Sequence, residues 1–215
     1  MDVWLNNLKT IMELHMDPEG KWTLDLPKRM FVDDAIWFIT HAQYMHMAIC
    51  TPSNSSNEII LTDNSYNVFE GPNCFITDEY TRKVEGVFYT PLHEFAPISP
   101  KLMIVLRSFL LPVPEEDANP HMKQNREAFH CMAVDMVYKF EVKSLLADLP
   151  IAKAQNNYST IDNGHLQLNN GEDWKRSKDD KFCFEYFLIG REHVQTINGI
   201  FLDNAYTSSR IVFMG

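Results

Sequence analysis

Thr62, Asp63 and Asn64 are the first residues whose types and order could do chemistry, and they follow directly from the apolar run EIILT at 58–62. The β-branched and apolar residues of that run predict a buried strand that ends at Asp63. A carboxylate held at a strand end could bind a metal ion or act as a general base, with Asn64 contacting the substrate. Asp and Asn also bond to their own backbone after strands, so a turn that only caps the strand is the alternative.

His93 and Glu94 provide an imidazole and a second carboxylate in the extended segment VEGVFYTPLHEF at 84–95. If this segment pairs with EIILT, either side chain could approach Asp63. Neighbouring residues on a strand point to opposite faces, so both cannot reach one site unless the backbone bulges. The sequence therefore predicts a catalytic group of Asp63 with His93 or Glu94, and places the remaining one of that pair at the surface.

Arg107 interrupts the apolar run KLMIVLRSFLL at 101–111. Its guanidinium has a fixed fork of donors that could bind the carboxylate or phosphate of an anionic substrate. The alternative is an ion pair with a structural acid such as Asp63 or Glu94, because buried arginines are normally paired.

Several well-known motifs have no match in the sequence, among them GxGxxG, the P-loop, HExxH, GxSxG and the EF-hand loop. Dinucleotide, P-loop nucleotide, zinc protease and α/β-hydrolase sites therefore have no motif support. His41 and His46 do not share a helix face and would point to opposite faces of a strand, which disfavours a metal site built on both. The cofactor is unknown, with a divalent metal ion as the candidate.

Helices and strands alternate irregularly around these residues. Apolar residues at helical spacing predict a first helix that stops at DPEG, 17–20, and the segment 27–50 is predicted to change from helix to strand near His41. The prolines of APISP, 96–100, predict a non-helical connection. KLMIVLRSFLL after it predicts an interior strand.

The second half of the chain contains the most regular apolar stripe. We expect a long helix whose core-facing residues are Met122, Phe129, Met132, Ala133, Met136, Val137 and Phe140. Asp162-Asn163-Gly164 predicts a hairpin turn. A strand at 181–190, an amphipathic helix around 194–201 and a closing strand complete the chain. Without a regular βαβ repeat, the predicted class is α+β: a mixed or largely antiparallel sheet packed against amphipathic helices, in one domain over 1–215.

The composition is that of a folded, acidic protein. The chain has 215 residues, 45% of them hydrophobic, and a net charge of -10 without a basic stripe, so a nucleic-acid partner is disfavoured. The sequence shows neither a signal-peptide pattern nor an apolar run of about 20 residues, so we expect no membrane partner. Cys50, Cys131 and Cys183 lie in apolar segments and Cys74 in an expected loop, which indicates reduced, mostly buried thiols and a cytoplasmic location.

Two segments resemble a known family. EIILTDNSYNVFEGP and HEFAPISPKLMIVLRSFLLP are similar to fungal members of domain-of-unknown-function family DUF4238, which show a Ser/Thr-Asp-Asn motif after a strand and a Pro-Leu/Ile-Ser-Pro turn. The matching residues are Thr62-Asp63-Asn64 and Pro97-Ile98-Ser99-Pro100. Ser65 stands where many members have proline, and the family's N-terminal His-Phe-Ile-Pro segment has no counterpart here. The resemblance supports the domain assignment and implies no reaction.

The function stays open between several classes. The absence of a complete catalytic constellation favours a domain that binds a small molecule or a protein, or a vestigial domain. The alternative is a hydrolase-like enzyme for an anionic substrate, with or without a metal ion, in which Asp63, His93 and Glu94 are the catalytic residues and Arg107 and Asn64 the substrate-binding residues. A tailoring enzyme for an apolar metabolite is a weaker alternative.

Overall fold

The computed structural model describes residues 2–17, 19–63, 68–173, 175, 177–205 and 210–212. The helices are α1 (Asp2–Met12), α2 (Trp22–Arg29), α3 (Val32–Tyr44), α4 (Pro114–Asp117), α5 (Pro120–His130), α6 (Met136–Tyr138) and α7 (Arg191–Asn204), with a π-helical segment (Cys131–Asp135) joining α5 to α6. The strands are β1 (Met45–Pro52), β2 (Leu61–Thr62), β3 (Val68–Glu70), β4 (Asn73–Thr77), β5 (Val84–Tyr89), β6 (His93–Ser99), β7 (Leu102–Ser108), β8 (Gln155–Asn156), β9 (Ser159–Asp162), β10 (His165–Leu168), β11 (Phe182–Cys183), β12 (Tyr186–Ile189) and β13 (Ile211–Val212).

Five strands form the main sheet in the order β12-β1-β7-β6-β3. The pairs β1–β7, β7–β6 and β6–β3 are antiparallel, and β12 adds to β1 in parallel. The remaining strands form two-stranded sheets. Helices and a mixed sheet are thus interspersed, and the predicted α+β class is confirmed. The interior strand predicted at KLMIVLRSFLL is also confirmed, because β7 lies at the centre of the sheet.

The two faces of the main sheet differ in burial. On the first face, apolar side chains are fully buried against α7 and the segment 146–151; they include Ala48, Val105, Phe95 and Val68. Side chains on the second face alternate with them along each strand and, apart from Ser108 at the end of β7, stay half-buried or exposed. The hydrophobic core of the sheet therefore lies on the first face alone.

The switch from helix to strand predicted near His41 is confirmed, since α3 ends at Tyr44 and β1 begins at the next residue. The helical region also extends further back than expected. α2 was not predicted, and it forms with Pro27 inside it. Trp22, Leu26, Met30 and Ala35 form the small core of this N-terminal helical region.

EIILT is a shorter strand than predicted. Only Leu61 and Thr62 are in strand conformation, and they pair with β13 outside the main sheet. Ile59 is buried in the main core, so the apolar residues of the run are used for packing although most of the run does not pair. EIILT does not pair with the strand that carries His93, because β6 pairs with β3 and β7.

The predicted strand at 84–95 is two strands in different sheets. β5 pairs with β4, while β6 belongs to the main sheet and continues through APISP as far as Ser99. The APISP segment is non-helical, as predicted, but it is part of the strand. A shift in register between Pro97 and Ser99 accommodates the prolines before the chain turns into β7.

The long helix is present over 120–138, but the prediction that its apolar stripe faces the core is wrong. The residues exposed along this stripe are Met122, Phe129, Met132, Met136, Val137 and Phe140. The helix instead buries Val134 and Tyr138 against Leu92 and Leu111. Helical spacing identified the helix correctly, whereas the choice of buried face depended on tertiary packing.

The cysteines only partly match the prediction. All four are free thiols, and Cys50 is buried, but Cys131 and Cys183 are exposed and Cys74 lies in β4. Burial raises the pKa of the Cys50 thiol to about 12, so this group stays protonated. None of the described helices is long and apolar enough to cross a bilayer.

The predicted hairpin at Asp162-Asn163-Gly164 is confirmed by the pairing of β9 with β10. Asn163 and Gly164 have φ values of 50° and 75°, as a two-residue turn with a left-handed backbone requires. The turn also packs tightly, since a Cβ on Gly164 would lie 2.6 Å from the backbone nitrogen of Asn119. Gly164 therefore serves both the turn and its contact with the start of α5.

We predict that Gly164→Ala lowers the free energy of unfolding by about 2 kcal/mol or more, because it adds a steric clash to the cost of a positive φ. The matched control is Gly171→Ala, where φ is 91° but the added Cβ meets no atom within 4 Å. It should cost about 1 kcal/mol from backbone strain alone. Urea unfolding of both variants measures the difference, and equal losses would contradict the packing role.

Candidate functional site

Four ionisable residues form one row across the first face of the main sheet. Glu70 in β3 is paired with His93 in β6, His93 with Arg107 in β7, and Arg107 with His46 in β1. His93 and Arg107 are 0% and 2% exposed and Glu70 is 7% exposed, at the end of an otherwise apolar core. Charged groups are rarely buried this deeply unless they are paired, so the row is the leading candidate for a functional site.

Glu70 accepts three hydrogen bonds. Its Oε2 accepts from His93 Nδ1 at 2.9 Å and from the Ser144 hydroxyl at 2.9 Å, and its Oε1 accepts from the backbone N–H of Leu145 at 2.6 Å. Burial opposes the charge of this carboxylate, but these bonds outweigh it and lower the pKa of Glu70. Glu70 is therefore a carboxylate anion that ties β3 to the segment 144–145.

The bonds of His93 fix its tautomer. Arg107 Nη1 lies 2.8 Å from His93 Nε2, and a guanidinium can only donate, so Nε2 accepts. Nδ1 then carries the single ring proton and donates it to Glu70. Burial is the main reason that the pKa of His93 is lowered, and the charge of Arg107 adds to it. A neutral imidazole thus bridges a buried anion and a buried cation.

Arg107 connects the row to two loops. Besides His93, Nη1 donates to the carbonyl of Leu146 at 3.3 Å, while Nη2 donates to those of Pro112 at 3.2 Å and Ala147 at 2.8 Å. Each terminal nitrogen has two N–H groups, so these four bonds occupy all of them. Arg107 is thus engaged inside the fold, but its partners are an imidazole and three carbonyls rather than the acid of the expected ion pair. Glu70, on the far side of His93, is the acid opposite Arg107, in place of Asp63 or Glu94.

His46 closes the row in an unusual environment. Both of its ring nitrogens are buried, and neither has a hydrogen-bond partner among the described residues. The ring stacks on Phe109, with centroids 5.9 Å apart. Burial and the positive charges of Lys153 and Arg107 lower the pKa of His46 to about 3. His46 is therefore neutral throughout the physiological range.

Glu94 lies on the second face of the sheet, opposite to His93, as the alternation of a strand requires. Its Oε1 accepts from His41 Nε2 at 2.7 Å, and His41 Nδ1 donates to the Trp37 carbonyl at 2.6 Å. Both imidazole nitrogens donate, so His41 is protonated. Although burial opposes this charge, the bond to Glu94 raises the pKa of His41. The pair fastens α3 to the sheet.

Asp63 is an exposed turn residue directly after β2, and Asn64 lies outside the described residues. Since β2 pairs only with β13 in the described chain, Asp63 follows a strand that lies outside the sheet of His93 and Arg107. Of the four predicted site residues that lie in the described part of the chain, His93 and Arg107 are the two that are brought together. Among the described residues, no three His, Cys, Asp or Glu side chains are grouped so that they could hold a metal ion.

A cleft lies next to Arg107. One cavity of about 320 Å³ is lined by Arg107, Pro112 and the segment 147–152. A second cavity of about 520 Å³ is lined by the segment 152–156 and residues of β9 and β10. Glu115 and Ala152 line both cavities, so the two cavities adjoin, and we call them together the cleft. Two carbonyls that accept from Arg107, those of Pro112 and Ala147, belong to residues in its walls.

Glu70 and Ser144 were not predicted as site residues. Glu70 ends a short apolar strand and is followed by Gly71, where a Cβ would lie 2.1 Å from the Thr90 carbonyl oxygen. The sequence signal was a polar residue at an inward position of an apolar strand, which Glu70, His93 and Arg107 share. Ser144 lies in a loop and has no such signal.

Comparison with protein families assigns the chain. The family described as Protein of unknown function (DUF4238) matches residues 1–214. The chain belongs to DUF4238. The resemblance read from the sequence is thereby confirmed for the family, whose description names no reaction or ligand. No curated protein and no solved structure matches this DUF4238 chain.

We predict that Glu70→Gln lowers the free energy of unfolding by about 3 kcal/mol. The amide removes the charge opposite Arg107 and replaces one of the two accepting oxygens with a donor. Glu141→Gln is the matched control, because Glu141 forms an exposed pair with Lys143 and should change stability by less than about 0.5 kcal/mol. Urea unfolding measures both, and equal small effects would show that the row contributes little.

We also predict a pH dependence from His46. Its folded pKa of about 3 lies below the usual 6.5, so the unfolded chain binds this proton more readily and stability falls from pH 6.5 towards pH 3. His93 shifts in the same direction, whereas His41 shifts oppositely and loses its contribution as pH rises. His46→Phe should therefore reduce the loss of folding free energy between pH 6.5 and pH 3 by up to about 1 kcal/mol per pH unit.

The measurement is the urea midpoint at pH 7, 6 and 5. The control is His121→Phe, because His121 is exposed at the start of α5 and water solvates its ring in both states. If the urea midpoint of His46→Phe changes with pH as steeply as that of wild type, the proton is taken up by another residue.

Proposed function

We propose that this DUF4238 chain acts as one small-molecule-binding domain, in which the buried row holds a binding cleft in shape. A single observation carries this proposal. The guanidinium of Arg107 donates to the carbonyls of Pro112 and Ala147, two residues on the walls of the cleft. The row therefore acts on the cleft through backbone positions rather than through exposed reactive groups.

The hydrogen bonds of the row also favour binding over catalysis. A general base needs a lone pair within reach of the substrate, but His93 uses Nε2 to accept from Arg107. Glu70 accepts from three donors, and Ser144 donates its hydroxyl proton to Glu70. The Ser144 oxygen lies 3.4 Å from His93 Nδ1, which already carries the proton given to Glu70. Each of these groups is engaged inside the fold.

The cleft has the size and lining of a ligand site. Its two cavities, about 320 and 520 Å³, lie within the usual range of small-molecule pockets. Ile151 and Ile161 supply apolar surface, while Thr160 and Gln155 supply hydrogen-bonding groups. Lys153, which lines the cleft, pairs with Glu116, and its Nζ lies 4.4 Å from the Phe109 ring centroid. The Phe109 ring also stacks on His46, so Lys153 connects the cleft to the His46 end of the row.

The hydrolase-like enzyme remains the alternative proposal. Its catalytic residues would be Asp63, His93 and Glu94, with Arg107 and Asn64 binding an anionic substrate and a divalent metal ion as the candidate cofactor. The exposure of Asp63 is the observation in its favour. His93 and Glu94 lie on opposite faces of the main sheet, which weighs against a site that contains both. A tailoring enzyme for an apolar metabolite is the weaker alternative.

The finer family placement is likewise a proposal. The Thr62-Asp63-Asn64 and Pro97-Ile98-Ser99-Pro100 segments support a place in the fungal branch of DUF4238. The composition supports a cytoplasmic protein that does not bind nucleic acid.

Blocking the cleft tests the binding proposal. Ala152 lines both cavities, so Ala152→Trp should fill their junction. Ala128→Trp is the matched control on the exposed side of α5. A fragment library screened by ligand-observed NMR should give hits that bind wild type and Ala128→Trp and bind Ala152→Trp at least about tenfold more weakly. Hits that ignore both substitutions, or no hits at all, would contradict the proposal.

A turnover assay separates binding from the hydrolase alternative. We expect no hydrolysis of bis-p-nitrophenyl phosphate or p-nitrophenyl acetate above background, with Mg²⁺ or Mn²⁺ present or absent. Metal binding seen by calorimetry, together with turnover that Asp63→Ala abolishes, would replace the binding proposal with the hydrolase.

A further inference from the structure

The charged side chains that line the cleft are mostly acidic. Four carboxylates and two cationic side chains line its walls: Glu115, Glu116, Asp148, Glu185, Lys153 and Arg107. A cleft lined by one sign of charge attracts ligands of the opposite sign, because its walls concentrate the field. The sign that a ligand meets depends on which of these charges are already opposed inside the fold.

Both cationic side chains are opposed by an acid of the fold. Arg107 faces Glu70 across His93, and its terminal N–H groups all donate to protein acceptors. Lys153 forms an ion pair with Glu116. An anionic ligand in the cleft would therefore meet no cation without an acid opposite it.

Glu115 is the carboxylate without a cation at the point where the two cavities adjoin. It is the first of three consecutive acids, and the next two have basic partners, since Glu116 pairs with Lys153 and Asp117 with Arg126. Glu115 pairs with no basic side chain of the described ranges, and it lines both cavities. Its carboxylate can therefore reach a ligand in either cavity.

Each cavity carries one further acid. Asp148 lines the first, with Nε2 of His193 at 3.3 Å from its carboxylate. Glu185 lines the second and accepts a hydrogen bond from the neutral amide of Gln155 at 3.5 Å. With Glu115 between them, the negative charge extends through both cavities.

The backbone at 152–154 points independently to a ligand with hydrogen-bonding groups. This segment lines the cleft and is half-buried. In the described part of the chain, the backbone groups of Ala152 and Ala154 form no hydrogen bond. Backbone groups that are removed from bulk water normally have a partner, so an amide or hydroxyl of a bound molecule fits beside them.

From these charges and these backbone groups we infer that the ligand of the cleft is a small organic cation: an amine that places its ammonium at Glu115 and carries an amide or hydroxyl group. Ile151 and Ile161 provide the apolar walls for the rest of such a molecule. The inference rests on the proposed binding function and names the class of ligand. It also separates that function from the hydrolase alternative, which requires an anionic substrate.

Ligand-observed NMR with matched triplets tests the inference. The fragment library is composed of amines, alcohols and carboxylates on the same molecular bodies, such as 4-(aminomethyl)benzamide, 4-(hydroxymethyl)benzamide and 4-carboxybenzamide. A fragment is assigned to the cleft when Ala152→Trp weakens its binding. Within the triplets, we expect amines to bind the cleft about fivefold more tightly than alcohols, and carboxylates more weakly than either.

Glu115→Gln tests the role of the carboxylate, because the amide keeps its shape and removes its charge. This variant should weaken the cleft-bound amines about fivefold and leave the alcohols unchanged. The matched control is Glu85→Gln, which removes the same charge from an exposed position of β5 outside both cavities and should leave amine binding unchanged. Glu115 is exposed on α4, so both variants should keep the wild-type urea midpoint.

The possible failures are distinguishable. Alcohols or carboxylates that bind the cleft as tightly as the matched amines would overturn the charge inference and leave the proposed function in place. Amine binding that Glu115→Gln leaves unchanged, or that Glu85→Gln weakens equally, would overturn it as well. A library in which no fragment binds the cleft would overturn the proposed function itself, and the inference with it.

Discussion

Glu70 and Arg107 face each other across His93 inside the main sheet, and all three are almost completely removed from water. A buried charge without a partner costs several kcal/mol, so the burial of each charge on one strand depends on the residues of the neighbouring strands. The neutral imidazole allows both charges to be satisfied without direct contact. It accepts from the cation and donates to the anion, a role that neither lysine nor a second carboxylate could fill.

This constraint extends beyond the sheet through the backbone. Glu70 accepts from the N–H of Leu145, and Arg107 donates to the carbonyls of Pro112 and Ala147, two residues that line the cleft. Loops normally vary in conformation, but the backbone of these loops is hydrogen-bonded to charged side chains that the core holds in place. The bonds of Arg107 therefore hold both the strands and two residues that line the cleft, and such fixed walls are what the proposed ligand site would require.

Local patterns in the sequence predicted much of the fold. The change from α3 to β1, the interior strand β7 and the turn at Asn163-Gly164 follow from periodicity and backbone preference, which neighbouring residues determine. Partners distant in sequence were not predictable in this way. EIILT packs its apolar residues without entering the main sheet, and the stripe of the long helix faces outward because Val134 and Tyr138 meet the core instead.

The candidate site shows the same difference between local features, which the sequence predicted, and partners distant in sequence, which it did not. His93 and Arg107 stood out as polar residues in apolar strands, and strand alternation correctly separated His93 from Glu94. Their true partner Glu70 required knowledge that β3 pairs with β6, and Ser144 required the position of a loop about 50 residues beyond His93. Asp63 was attractive for its motif, yet its strand pairs elsewhere. Strand partners, more than residue types, decided which polar groups meet.

The cross-strand row also favours one register of the strands over its neighbours. Side chains on a strand alternate between faces, so a slip of β7 by one residue would move Arg107 to the second face and put Leu106 beside His93. That misaligned sheet would keep most of its backbone bonds and apolar contacts, but it would leave a buried carboxylate without its cation. Hydrophobic residues alone discriminate poorly between such alignments, whereas a single line of ionisable groups makes one alignment far more favourable than its neighbours.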